Sequence, residues 1–416
     1  MKILHVVTAF DVDFPGGITI YVKNLATSQA ALGHTVLVVD GSTPTPPRME
    51  PGGYERFGHE AAQGSRFVPA VKELRRRSQS LISAIREVRA DLVHFHLTEG
   101  LGLEFYREFP DEDVPYIVSL HDYHLFCPRV TMFDFKGENC GGPSRSKCEN
   151  CIGVLDQNAL LFRSARRVNA QLPRWPSSKV TRRNEVIAEF MKGADGLHAV
   201  SERVRELFCD VYPEGQYFVS HIGSASAGAT RGHRTTSSRL RLTFLGTLSP
   251  PKGSEILERL ARGIVRSDIE INFYGRCFDS DLEEQVKSAG VILRGSYSPS
   301  ALPEILANTD VGLALPIWED NGPQVVMEFN NYGVPVIATS MGGIPDFVIP
   351  PNGYLFDPFR DEEIAGAIAF IETLTIEAAA KMAENLPSLK SPDEHAREII
   401  GRYSKVLCAR HRRAAR

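Results

Sequence analysis

The chain has 416 residues, with 47 Lys and Arg against 51 Asp and Glu and a formal charge of −4 at pH 7. Hydrophobic residues make up 43% and charged residues 24%, which excludes a fibrous or wholly disordered chain and a global nucleic-acid binder, whose mark is a basic excess. At roughly 100–200 residues per domain the length predicts two to three domains. No apolar run approaches the ~18 residues needed to cross a bilayer. Met1–Phe10 holds His5 and is followed by Asp11 and Asp13, unlike a secretion signal, so the expected compartment is the cytoplasm.

In chain order, Lys2–Thr8 is a short apolar run suited to a buried parallel strand. Pro15-Gly16-Gly17 breaks the chain before a helical stretch, Ile18–Leu32, closed by Gly33. The Gly-x-Gly-x-x-Gly dinucleotide spacing is absent there. Apolar runs follow at Thr35–Val39, Leu92–Phe95, Tyr116–Leu120 and Leu197–Val200, with helical stretches such as Val71–Val88 between them. That alternation predicts parallel βαβ units. His94, His96, His121 and His124 gather around two of these strands and predict a polar cleft wall.

Cys127, Cys140, Cys148 and Cys151 fall in one loop of the first half. The closing Cys-Glu-Asn-Cys makes a structural zinc site a candidate, since four thiolates suit closed tetrahedral coordination and a long irregular loop needs something to hold it. Four reduced thiols or two disulfides are the competing readings. Phe162–Arg183 carries six arginines and one lysine; it is either a solvated helix face or a peripheral contact with an anionic membrane.

The second half repeats the plan. Strands are predicted at Leu240–Leu245, Glu270–Tyr274, Val291–Leu293, Val311–Leu315 and Val334–Ala338, and helices near Ser254–Val265, Ser280–Ser288, Pro299–Ala307 and Pro323–Asn331. The join falls in Ser224–Ser238, rich in Ser, Thr, Gly and Ala. The expected domains are residues 1–225, holding the cysteine loop 127–151, and residues 226–393. A ligand is expected between them, at the carboxyl ends of both sheets. Ile399, Ile400, Tyr403, Val406 and Leu407 share one helical face, so a helix over 394–409 is expected to pack back on the first domain.

Leu313–Thr339 carries the densest chemistry. A strand ends, a short polar loop follows, and Pro323 sits where a first helical residue belongs. With Asn321 or Gly322 as cap, the amides of Gly322, Gln324 and Val325 lack partners inside the helix and favour a phosphate. Asp320 and Glu328 stand eight residues apart; a carboxylate suits vicinal sugar hydroxyls because it accepts two hydrogen bonds at once. Upstream, Leu245–Gly253 (LGTLSPPKG) brings Lys252 beside a glycine at a helix start, within reach of a phosphate. Downstream, Gly342 and Gly343 in Met341–Asp346 (MGGIPD) allow backbone to approach a ligand closely.

These segments, in this order and at strand ends, resemble the motifs of family 4 (group 1) retaining glycosyltransferases. The resemblance implies the GT-B fold, two Rossmann-like doubly wound parallel-sheet domains facing each other across a cleft. It implies transfer of a hexose-type sugar from a UDP- or GDP-sugar to a hydroxyl of a glycan or lipid-linked acceptor, in cell-surface polysaccharide synthesis and with no cofactor required for the chemistry. Asp320 and Glu328 match the family's carboxylate–seven residues–carboxylate motif, with Asp where the first Glu is usual. Glu328 is implied to hold ribose hydroxyls, Asn321–Val325 the sugar and phosphates, and Lys252 the diphosphate. Gly16 and Gly17 match a Gly-Gly passing close to the donor phosphates, and His121 the strand-end histidine near the reacting sugar. Thr247 stands where the family has Arg, whether Arg276 in Tyr274-Gly275-Arg276 supplies that charge is left open by the sequence, and Asp346 replaces a usual Glu. A nucleotide-sugar epimerase of the same fold and a non-catalytic nucleotide-sugar binder are the alternatives.

Overall fold

The computed structural model describes residues 1–8, 10, 16–41, 44–59, 71–152, 176–224, 237–384 and 386–414. The chain divides into two compact units, Met1–Ile222 with Pro392–Arg416, and Gly223–Ser391. Most of the sequence-predicted join, and residues 162–175 of the basic stretch, lie outside the described residues.

The first unit is built on Lys2–Val7 (β1), Thr35–Asp40 (β2), Arg48–Met49 (β3), Glu55–Gly58 (β4), Leu92–Leu97 (β5), Tyr116–Leu120 (β6), Gly196–Ala199 (β7) and Tyr217–Val219 (β8). They form one sheet in the order β3-β4-β2-β1-β5-β6-β7-β8. Every neighbouring pair is parallel except β3 with β4. Five consecutive residues of β1 are buried, as are all five of β6. Such strands are covered on both faces, which is why they read as near-continuous apolar runs. Helix Gly17–Ala31 follows β1 and packs against the C-terminal helix Pro392–Ala414, which is longer than the sequence expectation.

The second unit holds Leu240–Leu248 (β9), Ile269–Cys277 (β10), Ile292–Gly295 (β11), Val311–Ala314 (β12), Val336–Thr339 (β13) and Gly353–Phe356 (β14). Their order is β11-β10-β9-β12-β13-β14, all parallel. Leu242, Phe244, Leu257, Leu260, Phe273, Leu313, Ile337 and Ile371 form its core. Each sheet reverses its winding once, at β1/β5 and at β9/β12, and the carboxyl ends of strands at such a reversal are where doubly wound folds bind ligands.

The sequence reading did not anticipate β3, β4, β8 and β14. These are edge or near-edge strands of two to four residues, too short for a period-two pattern to stand out. Pro299–Ala307 is also not one helix but a 3-10 turn, Pro299–Ala301, followed by helix Leu302–Ala307.

Candidate active site

In the second unit, two segments read separately from the sequence meet. Lys252 Nζ lies 2.9 Å from Asp320 Oδ2 and 5.0 Å from the centroid of the Trp318 ring. Lys252 ends a 3-10 turn, Pro250–Lys252, after β9; Asp320 lies in the loop after β12. The amide of Ile317 donates to Pro251 O at 3.0 Å, tying the two loops together. Gly253 makes the approach feasible: its φ is +86°, and a Cβ there would sit 1.7 Å from Leu315 O, so only glycine lets the turn lie on the strand end.

The loop after β13 is clamped from the other side. Gly343 N–H donates to Asp320 O at 2.7 Å, and Gly342, at φ +56°, leaves no room for a Cβ, which would meet Asp320 O at 2.1 Å. The Gly342-Gly343 pair therefore fits the backbone of Asp320, where the sequence reading has it fit a ligand.

Helix Gln324–Asn331 follows Asp320. It begins one residue later than expected, and Gln324 N–H is not open, since it donates to Gly322 O at 2.8 Å. That corrects the expectation for Gln324. The first bond back from the helix runs from Met327 N–H to Pro323 O, so Val325 and Val326 are the amides without an intrahelical acceptor. Beside them, Trp318 Nε1 and Asn321 Nδ2 are buried with no hydrogen-bond partner among the described residues. A buried donor without an acceptor costs about 1–3 kcal/mol, a cost a ligand oxygen would relieve.

Glu328 projects from the same helix, and burial pushes its carboxyl from 4.5 up to about 7. Tyr297, which the sequence reading missed, is near enough that burial and then the Glu328 charge raise its phenol to about 12. Arg276 is exposed and lies in register with Thr247 on the adjacent strand. That register was not readable from the sequence, because it depends on the pairing of β9 with β10.

In the first unit, Gly16 caps helix Gly17–Ala31 with nothing within 4 Å of a Cβ built on it; Pro15 lies outside the described residues. His121 follows β6 and is half-buried. Burial lowers its imidazole to about 3, with a further contribution from His198, so it is neutral at pH 7. Asp122 is pushed up to about 6 by burial, although its carboxylate accepts the His124 amide at 2.8 Å. His94 and His96 do not form the expected cleft wall. They are buried inside the unit, with His5, His198 and His395 nearby. Ser201 caps helix Glu202–Val211 by accepting from Val204 N–H.

The cysteine loop differs from the sequence reading. Cys148 and Cys151 belong to a helix, Arg145–Cys151, and the segment is held by hydrogen bonds, such as Cys140 N–H to Met132 O at 2.9 Å and Lys147 Nζ to Cys140 O at 2.6 Å. None of the four cysteines is joined in a disulfide among the described residues. Burial raises Cys127 to about 11 and lifts Cys140 and Cys148 as well, favouring neutral thiols. The four cysteines do not form a ready ligand set, so structural zinc has no support here. Among the described residues the group close enough to share one ion is His5, His94 and His96. Both nitrogens of each ring are already engaged in hydrogen bonds within the protein, which leaves no lone pair free for a metal.

Two family models match the chain. Glycosyltransferase Family 4 covers residues 15–219 and Glycosyl transferases group 1 covers residues 239–373. A D-inositol 3-phosphate glycosyltransferase of Rhodococcus opacus is 28% identical over 158 residues, a stretch that is 34% of this chain and 35% of that protein. Among solved structures, HepE of Anabaena in complex with UDP aligns with a TM-score of 0.64 at 16% identity, covering 97% of this chain and all of that one. A sucrose-phosphate synthase of Thermosynechococcus elongatus aligns with a TM-score of 0.63 at 16% identity, over 98% of this chain and all of that one. Identities this low speak to fold, and the fold they share with the two parallel-sheet units is GT-B. With each half of the sequence matched by its own model, the chain belongs to the family 4, group 1 glycosyltransferases.

Proposed function

We propose that the chain moves a hexose-type sugar from a UDP- or GDP-sugar to a hydroxyl of a glycan or lipid-linked acceptor, with retention at the anomeric carbon, in cell-surface polysaccharide synthesis. In this reading the second unit holds the donor and the first receives the acceptor. The observation that carries it is the 2.9 Å pair of Lys252 with Asp320, placed next to unpartnered buried donors and the open start of helix Gln324–Asn331. The solved relative from Anabaena holds UDP, and another of its structures holds UDP-glucose, which supports the donor class.

Lys252 would leave Asp320 for the diphosphate, freeing the carboxylate to accept from sugar hydroxyls. The amides of Val325 and Val326, with Asn321 Nδ2, would take phosphate or sugar oxygens. Arg276, in register with Thr247, would supply the second cation. Glu328 would hold the ribose, Gly16 and Gly17 would let backbone amides face the phosphates, and His121 would contact the sugar. The acceptor oxygen bonds to the anomeric carbon as the bond to the diphosphate oxygen breaks, on the same face, and the acceptor proton passes to the departing phosphate. Positioning and charge stabilisation of the leaving group supply the rate. The reading places the chain in the cytoplasm, peripheral to the inner membrane face; among the described residues no helix is long and apolar enough to cross a membrane.

Calorimetric titration with UDP and GDP tests the site. One of them should bind, and Lys252→Ala should weaken it by roughly 10–100-fold, the worth of a charge-assisted hydrogen bond. Equal binding by wild type and variant, or no binding by wild type, overturns the site. Incubation with labelled donor then separates the alternatives: transfer to an acceptor or slow donor hydrolysis marks a transferase, an altered sugar an epimerase, and an unchanged donor a binder.

A further inference from the structure

Eight hydrogen bonds in the first unit form one continuous line. His198 Nε2 lies 2.7 Å from the backbone oxygen of Ser220, and His198 Nδ1 lies 2.7 Å from Ser119 Oγ. Ser119 Oγ is 2.7 Å from His94 Nε2, and His94 Nδ1 is 2.5 Å from Tyr403 Oη. Gln29 Nε2 reaches Tyr403 Oη at 3.4 Å, while Gln29 Oε1 is 2.8 Å from His5 Nε2. His5 Nδ1 is 2.8 Å from His96 Nε2, and His96 Nδ1 is 3.4 Å from His121 Nε2.

The line has a direction because one end is a carbonyl, which can only accept. His198 must therefore donate from Nε2, and with a single ring proton it accepts at Nδ1 from the Ser119 hydroxyl; the Gln29 amide, whose Nε2 donates to Tyr403, sets the direction beyond it. Ser119 then accepts from His94 Nε2–H, and His94 Nδ1 accepts from the Tyr403 hydroxyl. Tyr403 accepts from the Gln29 amide, which turns Gln29 Oε1 toward His5. His5 donates from Nε2 and accepts at Nδ1 from His96 Nε2–H. His96 Nδ1 then accepts from His121 Nε2–H. A neutral imidazole carries one proton, so each ring's tautomer is set by its neighbour. Burial keeps His5, His94, His96 and His121 neutral at pH 7.

We infer that this relay, anchored on the Ser220 carbonyl and passing through Tyr403 and Gln29, fixes His121 as the Nε2–H tautomer and presents its Nδ1 lone pair as a hydrogen-bond acceptor, so that His121 accepts a hydrogen bond from a ligand hydroxyl and does not donate one there. Nδ1 has no hydrogen-bond partner among the described residues. His5, His96, Gln29 and Tyr403 are positioning residues in this scheme. Naming the hydroxyl as a donor-sugar hydroxyl rests on the proposed function; the tautomer does not.

The test is a long-range 1H–15N correlation spectrum of the full-length, ligand-free chain labelled at histidine nitrogens, with His121 assigned from His121→Gln. At neutral pH the wild type should show a pyrrole-type Nε2 and a pyridine-type Nδ1 for His121. Tyr403→Phe removes one oxygen from the C-terminal helix, frees the Gln29 amide to turn over, and should shift both His121 signals toward the tautomer average. A wild-type His121 protonated on Nδ1, or an equal mixture, overturns the relay, and needs no variant to fold. Unchanged His121 signals in folded Tyr403→Phe also overturn it. Since no ligand is present, a chain that binds no nucleotide sugar would still report the tautomer, so the two readings fail separately.

Discussion

Glu328 sets a protonation condition on the site. Its carboxyl is raised to about 7 by burial alone, so near neutral pH it is about half ionised. Only the ionised form accepts two ribose hydroxyls without holding a proton of its own. Nucleoside diphosphate affinity should therefore rise as pH increases from about 6 to about 8, and Glu328→Gln, which cannot ionise, should bind more weakly above pH 7 and lose that rise. Titration at several pH values checks it, and a wild-type affinity flat across this range would remove Glu328 from the ribose. At this scale the sequence was informative where a motif sits on a strand end. Asp320 and Lys252 were both singled out from local spacing, and they meet at 2.9 Å. Tyr297 was not, because only tertiary packing brings it to Glu328. His94 and His96 were noticed for their chemistry and placed in the wrong environment, since a histidine inside an apolar strand reads the same whether the cleft or the core faces it.

Among elements, the loops after β9, β12 and β13 act as one unit through two glycines. Gly342→Ala would force a left-handed backbone on alanine and push its Cβ into the Asp320 backbone. Strain and overpacking together should cost at least about 2 kcal/mol and displace Asp320 from Lys252. Gly290→Ala is the control: its φ is +101°, but nothing lies within 4 Å of the added Cβ, so it carries backbone strain without the clash. Urea midpoints should fall further for Gly342→Ala, and donor binding should suffer in that variant alone. Equal losses would mean that the close approach to Asp320 contributes nothing. The parallel alternation was legible because buried strands such as β1, β6 and β12 are short, mostly apolar runs. The edge strands were not, for want of length, and neither was the one-residue delay of helix Gln324–Asn331, since Pro323 has ψ 77° and stays outside the helix.

Across the whole molecule the two units should answer acid in opposite senses. The first holds His5, His121 and His124, lowered by burial from 6.5 to about 4, about 3 and about 3, together with His94 and His96, held well below the ordinary range. Below pH 6.5 the unfolded chain binds protons that the folded unit refuses, so stability falls with pH by about 1.4 kcal/mol per pH unit for each such histidine, down to its folded value. Asp122, raised from 3.8 to about 6, works the other way, but it is one carboxyl against five imidazoles. In the second unit Glu328 also works the other way: between 7 and 4.5 the folded state binds the proton more readily, so acid stabilises it. The C-terminal helix belongs to the sensitive side, because Tyr403 bonds to His94 and His395 bonds to Tyr21, whose ring lies against His96 and His121. Amide hydrogen-exchange protection of the intact chain, corrected for intrinsic rates, should therefore fall in β1, β5, β6 and helix Pro392–Ala414 between about pH 7.5 and about pH 5.5, while β9 and β12 keep theirs. Unchanged protection in the first unit would show that the buried histidines accept protons without opening it, and the neutral imidazoles on which the tautomer relay depends would go with that result; equal or earlier loss in the second unit would overturn the opposite senses.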